Sequence, residues 1–220
     1  MTALLLDTET TGLEQPRIVE AAWLILHSPL DLTPPRPFLQ RYHPGKPIEP
    51  AALALHHIRD PDVAGCPPDS DFQLPVGVRY LVGYHVDYDW RLIGEPPLRR
   101  ICVLALARFC FPGLHSYSQS AVLRHVAGDE AHQLLQHAHS AMQDAENCRL
   151  ILQQILRHLR PRSATWTAVW RRSQQARIPA IMPFGKYKGK PIHDLPAHYK
   201  RWLLSQQDLD PYLAAALRGL

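Results

Sequence analysis

Two acids, Asp7 and Glu9, end an apolar run in the stretch LLLDTETTGL, residues 4–13. Side chains alternate along a strand, so residues two apart share a face. If the strand continues through them, two like charges lie side by side. That costs free energy unless one carboxyl keeps a proton or a cation lies between them. The same residues also read as a polar strand end, with Asp7 capping the turn that follows. A cation of the Mg²⁺ type needs more oxygen ligands than two, and two later stretches offer them. In YLVGYHVDYDWRLI, residues 80–93, Asp87 and Asp89 fall at a strand-to-helix turn; in HAHSAMQDAENC, residues 137–148, Asp144 lies early in a helix.

The second stretch has its own internal logic. Ser140 and Gln143 fit a capping box, which makes Ser140 the N-cap, Asp144 a first-turn residue and His139 the residue just outside. On a loop, His139 can turn toward the same pocket as Asp144. Its unperturbed pKa, about 6.5, suits a proton acceptor at neutral pH. Each residue has a local explanation too. Asp144 complements a helix dipole, Asp87 is an N-cap with Asp89 in the first turn, and His137 and His139 are surface residues in a chain of thirteen histidines.

The elements that must position these groups follow from pattern. Strands are expected at Leu4–Asp7, Arg17–His27, Phe38–Tyr42 and Tyr80–Tyr84, with a short helix at Ala51–His57 and another around Tyr88–Ile93. Residues 101–111 mix a strand with a helix start, and 116–126 read as helix. Ala141, Ala145, Cys148, Leu152, Ile155 and Leu159 recur at steps of three and four, the mark of an amphipathic helix, and Pro161 stops it. This order implies an α/β layer fold with a mixed sheet flanked by helices. Residues 1–160 form the main domain, 161–180 a helical connector with a helix around Thr165–Gln174, and 181–220 a small basic module.

Taken in order, DTETTGL, an acid after an apolar strand and H-x4-D at a helix start resemble the DEDD exonuclease superfamily over residues 3–158. Ser140 stands where the tyrosine subclass has its tyrosine, so the histidine subclass, DEDDh, is the match. The resemblance implies a ribonuclease-H-like fold, two divalent metal ions (Mg²⁺ or Mn²⁺) on Asp7, Glu9, Asp89 and Asp144, and His139 as general base. It further implies that Thr10, Thr11, Gly12 and Leu13 grip and wedge a terminal nucleotide, with His56 close by. MPFGKYKGKPIHDLPAHYKRWL at 182–203, ALHHIRD at 54–60 and LARFCFPG at 106–113 resemble the exodeoxyribonuclease X group within that superfamily. One departure stands out. The family usually has His-Asn four residues before its second-motif acid, and this chain has Tyr84-His85, with His85 in the place of a residue that would hold the 3′ nucleotide or a metal-bound water. Asp89 is preferred over Asp87 because the aromatic Tyr88 precedes it.

Composition agrees with a nucleic-acid enzyme without requiring one. The 220 residues are 46% hydrophobic, enough for a core, and net charge is +4. Residues 181–220 hold six cations against three acids, so most of that excess sits in the last module. There Lys186, Lys188 and Lys190 alternate with Phe184 and Tyr187, a pattern suited to single-stranded nucleic acid. Phe184 and Trp202 are expected inside the module's own core, with the three lysines facing the polymer. Four cysteines without CxxC spacing imply reduced thiols. No apolar run approaches the roughly 18 residues of a membrane span, so a cytoplasmic protein without membrane contact is expected. The expected activity is 3′-to-5′ exodeoxyribonuclease, releasing mononucleotides from single-stranded DNA or duplex 3′ ends. Alternatives are an exoribonuclease acting on RNA and a binding protein with a degenerate site; a homodimer is compatible with either.

Overall fold

The computed structural model describes residues 2–33, 36–135, 140–159 and 165–219. Its strands are β1 (Thr2–Thr10), β2 (Ile18–Leu26), β3 (Pro37–Arg41), β4 (Val78–Gly83) and β5 (Arg99–Cys102), forming one sheet in the order β3-β2-β1-β4-β5. β1 runs antiparallel to β2 and parallel to β4; β2–β3 is antiparallel and β4–β5 parallel. The sheet is therefore mixed. β1 is longer than the sequence pattern predicts and carries both Asp7 and Glu9 within the strand, with an irregular register only after Glu9.

The helices are α1 (Pro50–His56), α2 (Asp60–Val63), α3 (Asp87–Leu92), α4 (Val103–Cys110), α5 (Gln119–Ala127), α6 (Ala131–Leu134), α7 (Ala141–Leu159), α8 (Trp166–Arg177), α9 (Ala197–Leu204) and α10 (Pro211–Arg218). β2 is almost wholly buried because both its faces are covered, whereas β3 alternates exposed with half-buried residues, as an edge strand should. On one face Ala3, Leu5, Leu24 and Val82 pack with Leu106, Leu123, Ala145, Cys148 and Leu152 of α4, α5 and α7. On the other, Leu4, Leu6, Trp23 and Leu81 pack with Val86 and Trp90. Two carboxylates are thus laid on a floor whose earlier residues, Ala3 and Leu5, are core. Among the described residues no helix is long and apolar enough to cross a membrane, and the four cysteines are free thiols.

The segment expected to be a helical connector carries its helix, α8, packed on the main domain. Trp166 and Val169 of α8 are in the main core, and the fully buried Ser173 accepts a hydrogen bond from the Cys102 N–H at 2.8 Å. An apolar face meeting β5 and α4 makes α8 a packed layer of the main domain. The last module builds a separate small core from Met182, Ile192, Leu195, Leu203, Leu213 and Leu217. Phe184 and Trp202, expected in that core, are 47% and 54% exposed. Aliphatic side chains fill the little volume there is, and the large rings are left outside.

Candidate active site

Asp7 and Glu9 project from the end of β1 and Asp144 from the first turn of α7, which crosses β1 and β2. A carboxylate oxygen from each of the three lies within 4.8 Å of the others. α7 is aimed there by its start. Ser140 Oγ accepts from the Gln143 N–H at 3.3 Å, while the Gln143 side chain turns to Asn147, so only half of the expected capping box forms. Asp89 sits in the first turn of α3, just beyond β4, 7% exposed. Thr8 Oγ1 donates to its Oδ1 at 2.6 Å. All four acids therefore gather where the parallel strands β1 and β4 end, the usual crevice of an open α/β sheet. Asp87 does other work: it pairs with Arg100 at 2.6 Å and Arg177 at 3.0 Å, away from this cluster.

Burial and mutual repulsion raise the cost of ionising these groups. Asp7 is pushed well above the usual carboxylate range by burial, then by the charges of Asp89, Asp144, Glu9 and Glu20. Burial, then Asp144, Glu20 and Asp89, carries Glu9 to about 8. Asp89 rises to about 7 through burial, opposed by the Thr8 hydrogen bond. A donor set made only of hard carboxylate oxygens, packed this closely, fits a divalent cation with oxygen preference.

One residue of the site was not found from sequence. Glu20 is 3% exposed and lies opposite Glu9 in the β1–β2 register. Its Oε2 accepts from Arg41 Nε at 3.0 Å, and its Oε1 accepts from the Ala141 N–H at 3.1 Å, at the N-terminus of α7. A carboxylate at a helix start satisfies an orphan donor and meets the positive end of the dipole. Glu20 thereby ties the helix bearing Asp144 to the strand beside Asp7. The signal in the sequence was an acid in the middle of the apolar run IVEAAWLIL.

The residues expected to grip a nucleotide separate into two kinds. Leu13 is 84% exposed and His85 is also exposed. Gly12, at φ +147°, holds a backbone conformation that residues with a Cβ rarely adopt, and the end of the Glu49 side chain lies against it. Thr10 and Thr11 are buried, and their groups are engaged internally. Thr10 Oγ1 hydrogen-bonds Tyr88 Oη at 2.8 Å, and Thr11 exchanges main-chain bonds with Arg17 and Glu49. His56 is only 7% exposed and accepts from the Ile58 N–H on Nδ1 at 3.0 Å. That leaves the Nε2 proton to donate to the Thr10 carbonyl at 3.2 Å, so the ring braces the turn from behind and offers no nitrogen to a ligand. Tyr84 is core, donating to the Tyr117 carbonyl at 2.7 Å. The departure from the family's His-Asn thus places a packing residue at the first position and an exposed imidazole at the second. Lys186, Lys188 and Lys190 are exposed on the last module. His139 lies outside the described residues.

Comparison with known proteins sets this geometry in context. A family profile described as "Putative quorum-sensing-regulated virulence factor" matches residues 174–209, from the end of α8 into the last module. Exodeoxyribonuclease 10 of Escherichia coli strain K12 is 31% identical over 226 residues, covering 97% of this chain and 96% of that protein. The same protein from E. coli O6:H1 strain CFT073 matches equally. Among solved structures, exonuclease X in complex with 5′ overhanging duplex DNA superposes with a TM-score of 0.61 at 27% identity, covering 76% of this chain and 99% of that one. The nuclease domain of 3′hExo, a DEDDh member bound to rAMP, gives 0.56 at 15% identity, over 71% of this chain and 92% of that one, which speaks to fold alone. With a relative matched end to end above 30% identity, the chain belongs to the exodeoxyribonuclease X family of 3′-to-5′ exonucleases, and it shares the fold of the DEDDh member 3′hExo.

Proposed function

We propose that the chain removes mononucleotides from DNA 3′ ends by hydrolysis at the Asp7–Glu9–Asp89–Asp144 cluster, using Mg²⁺ or Mn²⁺ and His139 as general base. The observation that carries this reading is the approach of three carboxylates within 4.8 Å, with a fourth, buried, beside them. Two divalent ions in such a site supply charge for activating water and for relieving the leaving 3′ oxygen. The chain's own residues do the rest. Asp7 and Glu9 hold the cations from the rigid strand, and Asp144 closes the set from α7, fixed by Glu20. Asp89 is kept in orientation by the Thr8 hydroxyl. His139 takes the proton of the attacking water, and the exposed Leu13 meets the terminal base.

The choice of DNA rests on the relatives, one named an exodeoxyribonuclease and another solved with duplex DNA. A groove of about 660 Å³ supports a polyanion's approach: Arg17, Lys46, Arg91 and Tyr88 line it, and Tyr88 bonds Thr10. The test is a gel time course with Mg²⁺ on 5′-labelled single-stranded DNA and the matching RNA. A ladder shortening from the 3′ end on DNA, absent in Asp144→Ala, is expected. A ladder on RNA alone would move the substrate to RNA, and no cleavage with either metal would overturn the reading.

A further inference from the structure

A half-exposed tryptophan needs an explanation on a small module that has a complete aliphatic core. Trp202 leans on Tyr199 with ring centroids 5.4 Å apart and planes 30° apart, and Tyr199 meets Tyr187 edge-on at 4.7 Å. The ammonium groups of Lys186 and Lys190 stand 5.6 and 5.7 Å from the Tyr187 ring centre. Gly185, at φ +71°, brings the loop against the Tyr199 hydroxyl, where an added Cβ would lie 3.0 Å away. Phe184, the residue before it, is 47% exposed. The rings thus form a strip from Tyr187, beside two cations, through Tyr199 to the half-exposed Trp202.

We propose that this strip, with Phe184, is a second nucleic-acid site, separate from the hydrolytic cluster, on which unpaired bases of single-stranded DNA stack while Lys186 and Lys190 meet the phosphates. The identity of the polymer rests on the nuclease reading above; the surface itself does not. Alternating rings and cations are what sequence-tolerant single-strand binding uses, since every base has a π-face and every linkage a charge. A protein partner fits less well, because lysine is depleted in protein interfaces while aromatic residues are enriched. Two of the module's three acids have local partners: Asp210 caps α10 through the Tyr212 and Leu213 N–H groups, and Asp194 lies 3.2 Å from His193 Nε2. Lys200 is spent on the His193 carbonyl and is left out of the site. Because the rings brace one another, little side-chain freedom is lost when a base arrives. Such a site holds a strand between successive excisions, so it matters for long substrates and not for a single nucleotide.

The experiment is fluorescence anisotropy of the full chain in chelator-containing buffer, with labelled oligothymidylate of about twenty nucleotides. Trp202→Ala is expected to raise Kd about tenfold, the size of one lost base stack, and Trp202→Phe to recover most of the affinity. Unchanged affinity in Trp202→Ala overturns the proposal and returns the strip to a protein-facing patch. Equal weakening by Ala and Phe together with a lowered Tm also overturns it, as a folding effect. Mg²⁺-dependent hydrolysis of p-nitrophenyl thymidine 5′-phosphate by the wild-type chain reports the cluster alone. Its absence would refute the nuclease reading while the Kd comparison still decides this one.

Discussion

At the end of β1 charge is gathered inward: acids of one sign share a pocket, and burial raises the cost of ionising them. In the C-terminal module charge is spread outward, with cations and the rings of Phe184 and Trp202 on the surface and a core that is mostly aliphatic. The first arrangement is unstable without a counter-ion and so demands one, at a fixed distance. The second is stable alone and tolerates variation in what it meets. Chemistry needs the former and holding a polymer needs only the latter. The two regions are joined through α8. Tyr212 of α10 donates to Gln174 Oε1 at 3.0 Å and receives Arg177 Nη1, and Arg177 in turn grips Asp87 at the start of α3.

Substitutions at the two regions should therefore separate hydrolysis from binding. Asp7→Asn is expected to reduce hydrolysis to the detection limit in a Mg²⁺ assay. It should also raise the Tm of the metal-free protein, because a buried repulsion is relieved. A lowered Tm would mean the acid is a structural member. His139→Ala should lower kcat by about 10²-fold or more with little change in strand affinity, the range for a lost general base.

Removing Lys186, Lys188 and Lys190 together should leave hydrolysis of a short ester in place and flatten the salt dependence of strand binding. The log–log slope should fall by about 0.7 for each phosphate that is no longer neutralised; an unaltered slope would take the lysines out of the site.

The pH dependence sharpens the contrast further. Glu9 rises from an ordinary 4.5 to about 8 and Asp89 from 3.8 to about 7 on folding. Between those limits the folded state binds more protons than the unfolded one, so metal-free stability falls as pH rises. Denaturant titrations in chelator should show less stability at pH 8 than at pH 5, and Mg²⁺ should restore more of it at the higher pH. The smallest expected effect is at the joint: Tyr212→Phe should cost about 1 kcal/mol in urea unfolding, the worth of a buried hydrogen-bond partner.

How much of this was legible in the sequence differs by region for a physical reason. That Asp7 and Glu9 share a face and that Asp144 starts a helix could be read because strand alternation and helix capping are local; that they form one set came from the family resemblance. Glu20 could not be placed, since its role depends on a β1–β2 register that pairs it with Glu9 and on a helix start more than a hundred residues later. The bracing contacts of His56 were invisible for the same cause: the turn it supports is assembled from β1 and α1. Phe184 and Trp202 were assigned to a core on hydrophobicity alone. In a module this short no periodicity says which face is inside. The helix at Trp166–Arg177 was seen, but its burial against β5 depends on which apolar face meets the sheet.

The measurement that bears most directly on the metal cluster is calorimetric titration of Mn²⁺ into wild-type and Asp144→Ala chains near pH 7, in two buffers of different ionisation heat. Carboxyls raised to the neutral range must shed protons to hold a cation, so binding should release protons in the wild type and be severely weakened in Asp144→Ala. Binding without proton release, or binding of equal strength in both chains, would contradict the carboxylate cluster as the metal centre.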